Sequence, residues 1–334
     1  MFEPPFRTVL KPYGRALVEL AAKRPEILCL SGDLTRQCEV DLFQETFPER
    51  FIHAGMAEAN MMSMAGALAR QGFMPFVHTF GVFATRRPFD QVANAIAYPG
   101  LPVRIIGFMP GVSTPGGPSH QAIEDVALMR ALPHMTVVDV ADSQQISRVV
   151  PAIADHPGPV YLRLKRGENP TIFEVDDDFS LDSVQHLSTG GEVVLVSSGM
   201  MLPATLQAAT ALGEAGVHTG IVNVPVIKPL DRAGILRAVR GARAVVTVEN
   251  HSVIGGLGSA VAEVLAEEGL GVRLRRIGIP DTFAEGSKTA PYLFRKYGLT
   301  TQHITDAAWS ALGRDGTAPR ARTYETEEGE YAPV

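Results

Sequence analysis

Glu58 opens a stretch, Glu58–Arg70, that reads Glu-Ala-Asn-Met-Met-Ser-Met-Ala-Gly-Ala-Leu-Ala-Arg and has almost no polar face after its first turn. A helix apolar all round has to be covered on every side, in a subunit interface or an unusually deep core. The lone carboxylate at its start is either a first-turn residue favoured by the helix dipole or a functional acid. His120 follows a run rich in Gly and Pro, Pro115-Gly116-Gly117-Pro118. Such a loop brings backbone close to a ligand, although a lone loop histidine is as readily a surface residue. Arg163 and Arg166 close a predicted strand at the carboxyl edge, where α/β proteins place ligands; a surface ion pair is the plainer role for each. Gly255-Gly256-Leu257-Gly258 turns into a helix, but it has no Lys and lacks nucleotide-binding spacing, so it reads as structural.

These residues hang on a regular alternation of short β-rich runs and longer helical patterns. Strands are predicted at Ile27–Leu30, Met74–Thr79, Val103–Phe108, Thr136–Val140 and Val160–Lys165. Helices are predicted at Tyr13–Lys23, Glu58–Arg70, Arg86–Tyr98, Ile123–Arg130 and Ser143–Ala154. Such a series argues for a parallel sheet covered on both faces. After Asn169 the pattern breaks into an acidic, aperiodic stretch, Glu174–Leu187. A smaller α/β series follows, with strands near Val193–Ser197, His218–Val222, Ala244–Glu249 and Leu274–Ile279. Its helices are Leu202–Ala215, Asp231–Arg240 and Leu257–Glu268. The expected organisation is a domain over 1–175, a linker over 176–189, a second domain over 190–312, and a poorly ordered polar tail over 313–334.

At 334 residues the chain can bury two ordinary cores. A net charge of −6 without a basic stripe argues against nucleic acid as a main partner. Two cysteines, Cys29 and Cys38, read as free thiols in a reducing compartment. The start, Met-Phe-Glu-Pro-Pro, shows no signal peptide, and no window is long and apolar enough to span a bilayer. The expectation is a cytoplasmic protein without membrane contact.

Four ordered segments resemble the pyrimidine-binding domain of the transketolase family. They are Gly32-Asp33-Leu34-Thr35; His53-Ala54-Gly55-Met56-Ala57-Glu58; Thr79-Phe80-Gly81-Val82-Phe83-Ala84-Thr85-Arg86 leading into Phe89-Asp90-Gln91; and Gly117-Pro118-Ser119-His120-Gln121 with Glu124 and Asp125. Val248-Glu249-Asn250-His251, the glycine turn after it and Gly278-Ile279-Pro280-Asp281-Thr282-Phe283 resemble the family's C-terminal domain. Each motif alone is weak, and the ordered set, over roughly residues 10 to 312, is strong.

The resemblance implies a thiamine-diphosphate enzyme. In it Glu58 would bond N1′ of the aminopyrimidine, a task that needs a carboxyl group tuned by burial. Phe80 and Phe83 would form the aromatic wall of the pyrimidine pocket, unless both are simply core residues. Asp33 and Arg86 would lie in the cofactor region, and Asp90 and Gln91 look like cap or interface residues. His120 would contact the donor's hydroxyls or carbonyl, acting in catalysis and substrate binding. Arg166 would grip a sugar phosphate, with Arg163 beside it, a task suited to a forked, permanent cation. The family uses the C-terminal domain mainly to build the dimer.

Departures from the family pattern are informative. No Gly-Asp-Gly occurs in the chain, so the motif that holds diphosphate and Mg2+ (or Ca2+) is expected on a partner subunit, in an α2β2 assembly. No metal ligand is expected here. Gly116 stands where Asp is usual, Phe108-Met109 where a phosphate-contacting His or Arg is usual, and Gln37 where Ser is usual. The expected activity is transfer of a two-carbon ketol unit from an anionic ketose, phosphorylated, sulfonated or otherwise modified, to an aldose. Two rivals stand beside it. One is the beta subunit of a 2-oxoacid dehydrogenase first component or a deoxyxylulose-phosphate-synthase-like protein; the other is a non-catalytic module on the same fold.

Overall fold

The computed structural model describes residues 6–321 apart from Asp176, Asp178 and Lys288. Strands run β1 Thr8–Leu10, β2 Ile27–Ser31, β3 Phe51–His53, β4 Met74–Phe80, β5 Arg104–Phe108, β6 Thr136–Asp139, β7 Val160–Leu164 and β8 Glu168–Pro170. They continue as β9 Gln185–Ser188, β10 Val193–Ser197, β11 Thr219–Asn223, β12 Val226–Lys228, β13 Ala244–Ser252 and β14 Arg273–Ile279. The helices are α1 Pro12–Ala21, α2 Asp41–Thr46, α3 Glu58–Arg70, α4 Gly81–Thr85, α5 Phe89–Gln91, α6 Asp125–Ala131 and α7 Ser143–Asp155. Then come α8 Leu202–Glu214, α9 Arg232–Val239, α10 Leu257–Glu267, α11 Ala290–Lys296 and α12 Thr301–Ala311.

Among the described residues the strands form two mostly parallel sheets, ordered β12-β6-β7-β5-β4-β2-β3 and β14-β13-β10-β11-β9, and a small ribbon β1-β8. The period-2 alternation of a strand decides which helices cover which face. In β2, Ile27 and Cys29 join a core with Leu17, Phe43 and Val149 of α1, α2 and α7. Leu28 and Leu30 face the other way, onto Met61, Ala65 and Met129 of α3 and α6. In β10, Val193 and Leu195 pack with Leu212, Leu293 and Ala308, while Val194 and Val196 pack with Ile235 and Val261. Burial on both faces explains why these strands read as continuous apolar runs.

Beyond elements the sequence reading did not list, such as α2, α11 and α12, three features depart from it. The helix expected over Arg86–Tyr98 is divided: α4 ends at Thr85, Pro88 caps α5, and Val92–Ala97 widens into a π-helical turn. That turn packs on α3 so closely that a Cβ on Gly66 would lie 2.4 Å from the Ala95 carbonyl oxygen. Helix α3 is not covered all round by its own chain, since Asn60, Ser63, Ala67 and Arg70 are exposed. Finally, β12 comes from the second half of the chain yet pairs antiparallel with β6, Val226 opposite Val138, so it completes the edge of the first sheet. Of the expected tail, Gly313–Ala321 is described, and Gln302 of α12 bonds Pro319 O and Ala321 N (3.2 and 3.0 Å). Residues 322–334 lie outside the described residues. Cys29 and Cys38 are free and buried.

One buried group gives the fold a pH dependence. His78 in β4 meets the Tyr13 hydroxyl at Nε2 (2.7 Å) and the Leu30 carbonyl at Nδ1 (3.0 Å). The neutral ring satisfies both contacts, donating to the carbonyl and accepting from the phenol. Burial depresses its pKa from the ordinary 6.5 to about 4. The unfolded chain therefore binds more protons between those values, so stability present above pH 6.5 is lost as pH falls through 4. We expect this loss to reach about 3 kcal/mol in denaturant titrations. A His78→Gln variant, which keeps one donor and one acceptor, should lack that component.

Candidate active site

Parallel strands β2, β4, β5 and β7 end along one edge of the first sheet, and the candidate residues sit on the loops that leave it. Five non-glycine residues among those described have clearly positive φ, and three of them, Asp33, Glu39 and Met109, lie on loops after β2 and β5 at this edge. A fourth, Lys11, bonds through its N–H to Gly167 O beyond β7. Strain of this kind persists where surrounding structure over-determines the backbone.

Glu58 is the first residue of α3, entered through Gly55 at φ 68°, and is 4% exposed. Its Oε1 accepts a hydrogen bond from Arg87 Nη1 at 2.8 Å. The same guanidinium lies over the ring of Phe83, 4.1 Å from Cζ to centroid. Phe83 stacks on Phe80, the last residue of β4, at 5.8 Å and 21°. His120 closes the group, its ring edge-on to Phe83 at 5.3 Å and to Phe80 at 6.5 Å. A carboxylate and an aromatic pair are thus joined through Arg87, and an imidazole packs on the same aromatic pair. The imidazole Nδ1 is 2.9 Å from Ser119 Oγ, which leaves Nε2 for a ligand.

The remaining expected residues fall in different places. Asp33, just past β2, pairs with His53 Nε2 at 3.1 Å, both half-exposed. Arg166 follows β7, half-buried, and makes no side-chain hydrogen bond or ion pair among the described residues. Its turn is held by Glu39, whose Oε1 accepts from Gly167 N at 3.2 Å. Arg86, expected beside the cofactor, is instead committed to the loop of His120. It clasps Glu124 through two nitrogens and donates to the carbonyls of Pro118 (2.7 Å) and Gln121 (3.1 Å).

Arg163, expected to meet substrate, cannot do so, because it is 1% exposed. It donates to Asp125 (2.8 and 3.2 Å), Asp139 (2.9 Å) and the Asn250 carbonyl (3.0 Å). Ser198 of the second domain bonds the same Asp139, and Tyr161 bonds Asp125. Burial raises the pKa of Asp125, but Arg163 and its other partners outweigh that and hold it below the usual carboxylate range. Asp139, with one arginine bond, is left raised by burial. Asp125 at the start of α6, Asp139 at the end of β6 and the Asn250 backbone of β13 are therefore tied to one cation.

The glycine turn before α10 is filled by the protein itself. Glu249 accepts from Leu257 N (2.6 Å) and Gly258 N (2.9 Å), and a Cβ on Gly256 would lie 1.9 Å from its carboxylate. That turn needs glycine for its own carboxylate, and a phosphate has no room there. Gly116, noted as a departure, also has a steric reason: a Cβ there would meet His120 Cβ at 2.7 Å. The sequence reading does not name Arg87 and gives Gln121 no role of its own, because nothing in Arg86-Arg87 or Ser119-His120-Gln121 marks which side chain turns inward. Among the described residues no group of three or more His, Cys, Asp or Glu is placed to hold a metal ion. None of their helices is long and apolar enough to cross a membrane.

Comparison with known proteins gives this geometry a context. The family model for the transketolase pyrimidine-binding domain matches residues 7–171, and that for the transketolase C-terminal domain matches residues 182–304. An uncharacterised transketolase family protein of Sinorhizobium fredii is 43% identical over 296 residues, 88% of this chain and 86% of its own length. A protein of Clostridium sp., named a 6-deoxy-6-sulfo-D-fructose transketolase subunit, is 42% identical over 303 residues, 90% of this chain and 94% of its own. A solved split-gene transketolase, described as an inactive beta4 tetramer, is 42% identical with a TM-score of 0.84, covering 91% of this chain and 97% of that one.

Proposed function

This chain belongs to the transketolase family, and from that premise we propose that it is one subunit of a split transketolase, moving a two-carbon ketol unit from an anionic ketose to an aldose. The observation that carries the reading is the double contact of Arg87. One flat, nitrogen-rich group stacks on Phe83 and donates to Glu58 at the same time. An aminopyrimidine would make the same two kinds of contact, so these residues fit the pyrimidine of thiamine diphosphate. Arg87, half-exposed and on a flexible stem, is free to yield its place.

Thiamine diphosphate, when bound, supplies the chemistry that breaks and remakes a carbon–carbon bond beside a carbonyl. The chain's own residues position and protonate. Glu58 holds and returns a proton at the pyrimidine N1′, and its near-complete burial keeps bulk water from that exchange. Phe80 and Phe83 fix the ring plane. His120 bonds a hydroxyl or the carbonyl of the donor. Arg166 meets the donor's terminal anion, since among the described residues its guanidinium makes no side-chain hydrogen bond or ion pair and its charge is left for a ligand. Asp33, with its His53 partner, lines the rim beside the cofactor.

Diphosphate and its Mg2+ are assigned to a partner subunit carrying Gly-Asp-Gly, in an α2β2 assembly. The exposed stripe of α3, beginning two residues after Glu58, is the surface the partner covers. Relatives of matching length that are named as a transketolase subunit and a split-gene transketolase support this division. Gln37, Met109 and Gly116 at recognition positions, with the sulfo-sugar relative, favour a donor other than the ordinary pentose phosphate.

The test is to co-produce the chain with a Gly-Asp-Gly partner and assay ketol transfer with thiamine diphosphate and Mg2+, offering phosphorylated and 6-sulfonated ketoses. Transfer by the pair and none by the chain alone is the expected result. Turnover by the chain alone overturns the split, and a pair that only decarboxylates 2-oxoacids overturns the ketol-transfer reading.

A further inference from the structure

The loop that carries His120 runs from the end of β5 to α6 and includes Pro110, Gly111, Pro115, Gly116, Gly117 and Pro118. Three prolines lack an N–H, so such a segment depends on outside contacts to hold one shape. Arg86 of the first domain supplies some of those contacts, and the second domain supplies others from several of its own segments. Asn250 accepts from Val112 N and donates to Pro110 O, both at 3.0 Å. Ser287 N donates to Pro115 O at 3.0 Å, and Gly116 bridges to Gly286. Nearest to the histidine, the fully buried side chain of Gln121 donates through Nε2 to Glu285 O and to Thr114 O, each at 3.1 Å. Glu285 N in turn donates to the hydroxyl of Tyr297 at 2.9 Å.

Gln121 is therefore gripped from both domains. Arg86 of the first holds its backbone carbonyl, and Glu285 of the second holds its side chain. The amide has one workable orientation, because turning it over would set Oε1 against two carbonyl oxygens. Among the described residues Oε1 is buried with no partner, so within them the side chain is placed by its NH2 group. The residue before it is His120, whose ring rests against Phe83.

We propose that the second domain takes part in the active site by positioning His120, through the relay Tyr297–Glu285–Gln121. The proposal rests on the reading of His120 as a donor-binding group. Gln121 and Tyr297 are positioning residues, acting on the donor through the imidazole. Glu58, Phe80 and Phe83 lie outside this loop, so the cofactor's site should not feel the change.

The experiment uses the assembled pair with Gln121→Met, Tyr297→Phe and His120→Ala, alone and combined. Gln121→Met keeps the length of the side chain and removes its donors. It should lower kcat/KM for the ketose about tenfold, within what a small misplacement of a reacting group costs. Tyr297→Phe should move the same parameter in the same direction by a few fold, and the affinity for thiamine diphosphate should stay within twofold of wild type in both. Once His120 is alanine, adding Gln121→Met should cost nothing further. If His120→Ala leaves ketose kinetics unchanged, the donor-binding reading itself falls. If His120→Ala is impaired, then wild-type kinetics for Gln121→Met, full additivity, or a parallel loss of cofactor affinity each overturn the relay.

Discussion

Replacing Glu58 by Gln in the assembled enzyme is expected to lower ketol transfer by roughly 10²–10⁴-fold, the range for losing a general acid–base group. Gln keeps the size of the side chain and, through its carbonyl oxygen, the bond from Arg87. What disappears is the capacity to hold and return a proton. The effect on folding should be small. A first-turn charge on a helix contributes about 0.3–1 kcal/mol, and the Arg87 partner is half-exposed, so solvent screens that pair. Steady-state transfer rates, with the assembly's mass checked by light scattering, decide the matter. Turnover within tenfold of wild type would remove Glu58 from the mechanism.

Arg163→Met should produce the largest loss of stability. It strips the cation that, among the described residues, alone bonds both Asp125 and Asp139, and leaves two buried carboxylates without it. Breaking one partner out of a buried ion group costs about 3–5 kcal/mol, well beyond what a surface substitution does. The loss should appear in equilibrium denaturation as an earlier midpoint, and as separate unfolding of the two domains, because the same guanidinium also bonds Asn250 O. Asp139 is already raised by burial, so it should take up a proton first and the defect should ease as pH falls. A midpoint unmoved at neutral pH would show that the network is not what ties the domains.

The fold class was legible because it is written in local patterns. Runs such as Val193–Ser197, buried on both faces, and helices such as Glu58–Arg70 carry their signal within one element. Small elements whose identity depends on a distant neighbour were not. Val226–Lys228 is three residues long, and only its pairing with Thr136–Asp139 makes it a strand. The π-helical turn at Val92–Ala97 likewise reflects its packing on Gly66, which no periodicity records. For the site, residue types suggested chemistry and the family resemblance suggested roles, but neither reports what a long side chain reaches. Arg163 and Arg166 are three residues apart at one strand end; the first turns into the protein and the second does not. Arg86 and Arg87 are adjacent, yet one serves a loop and the other meets Glu58.

The pairing of β12 with β6 also sets a timetable for synthesis. Val138 leaves the ribosome roughly ninety residues before Val226, its partner, which at about 5–20 residues per second is roughly 5 to 20 seconds. Once β7 has emerged and joined β6 to the sheet, the sheet keeps an open β6 edge for the rest of that interval, with unpaired N–H and C=O groups able to template pairing with another nascent chain. The interval ends only when the second domain has begun to emerge. Aggregation during production should therefore respond to translation rate across residues 140–228, even though the finished protein has that edge closed.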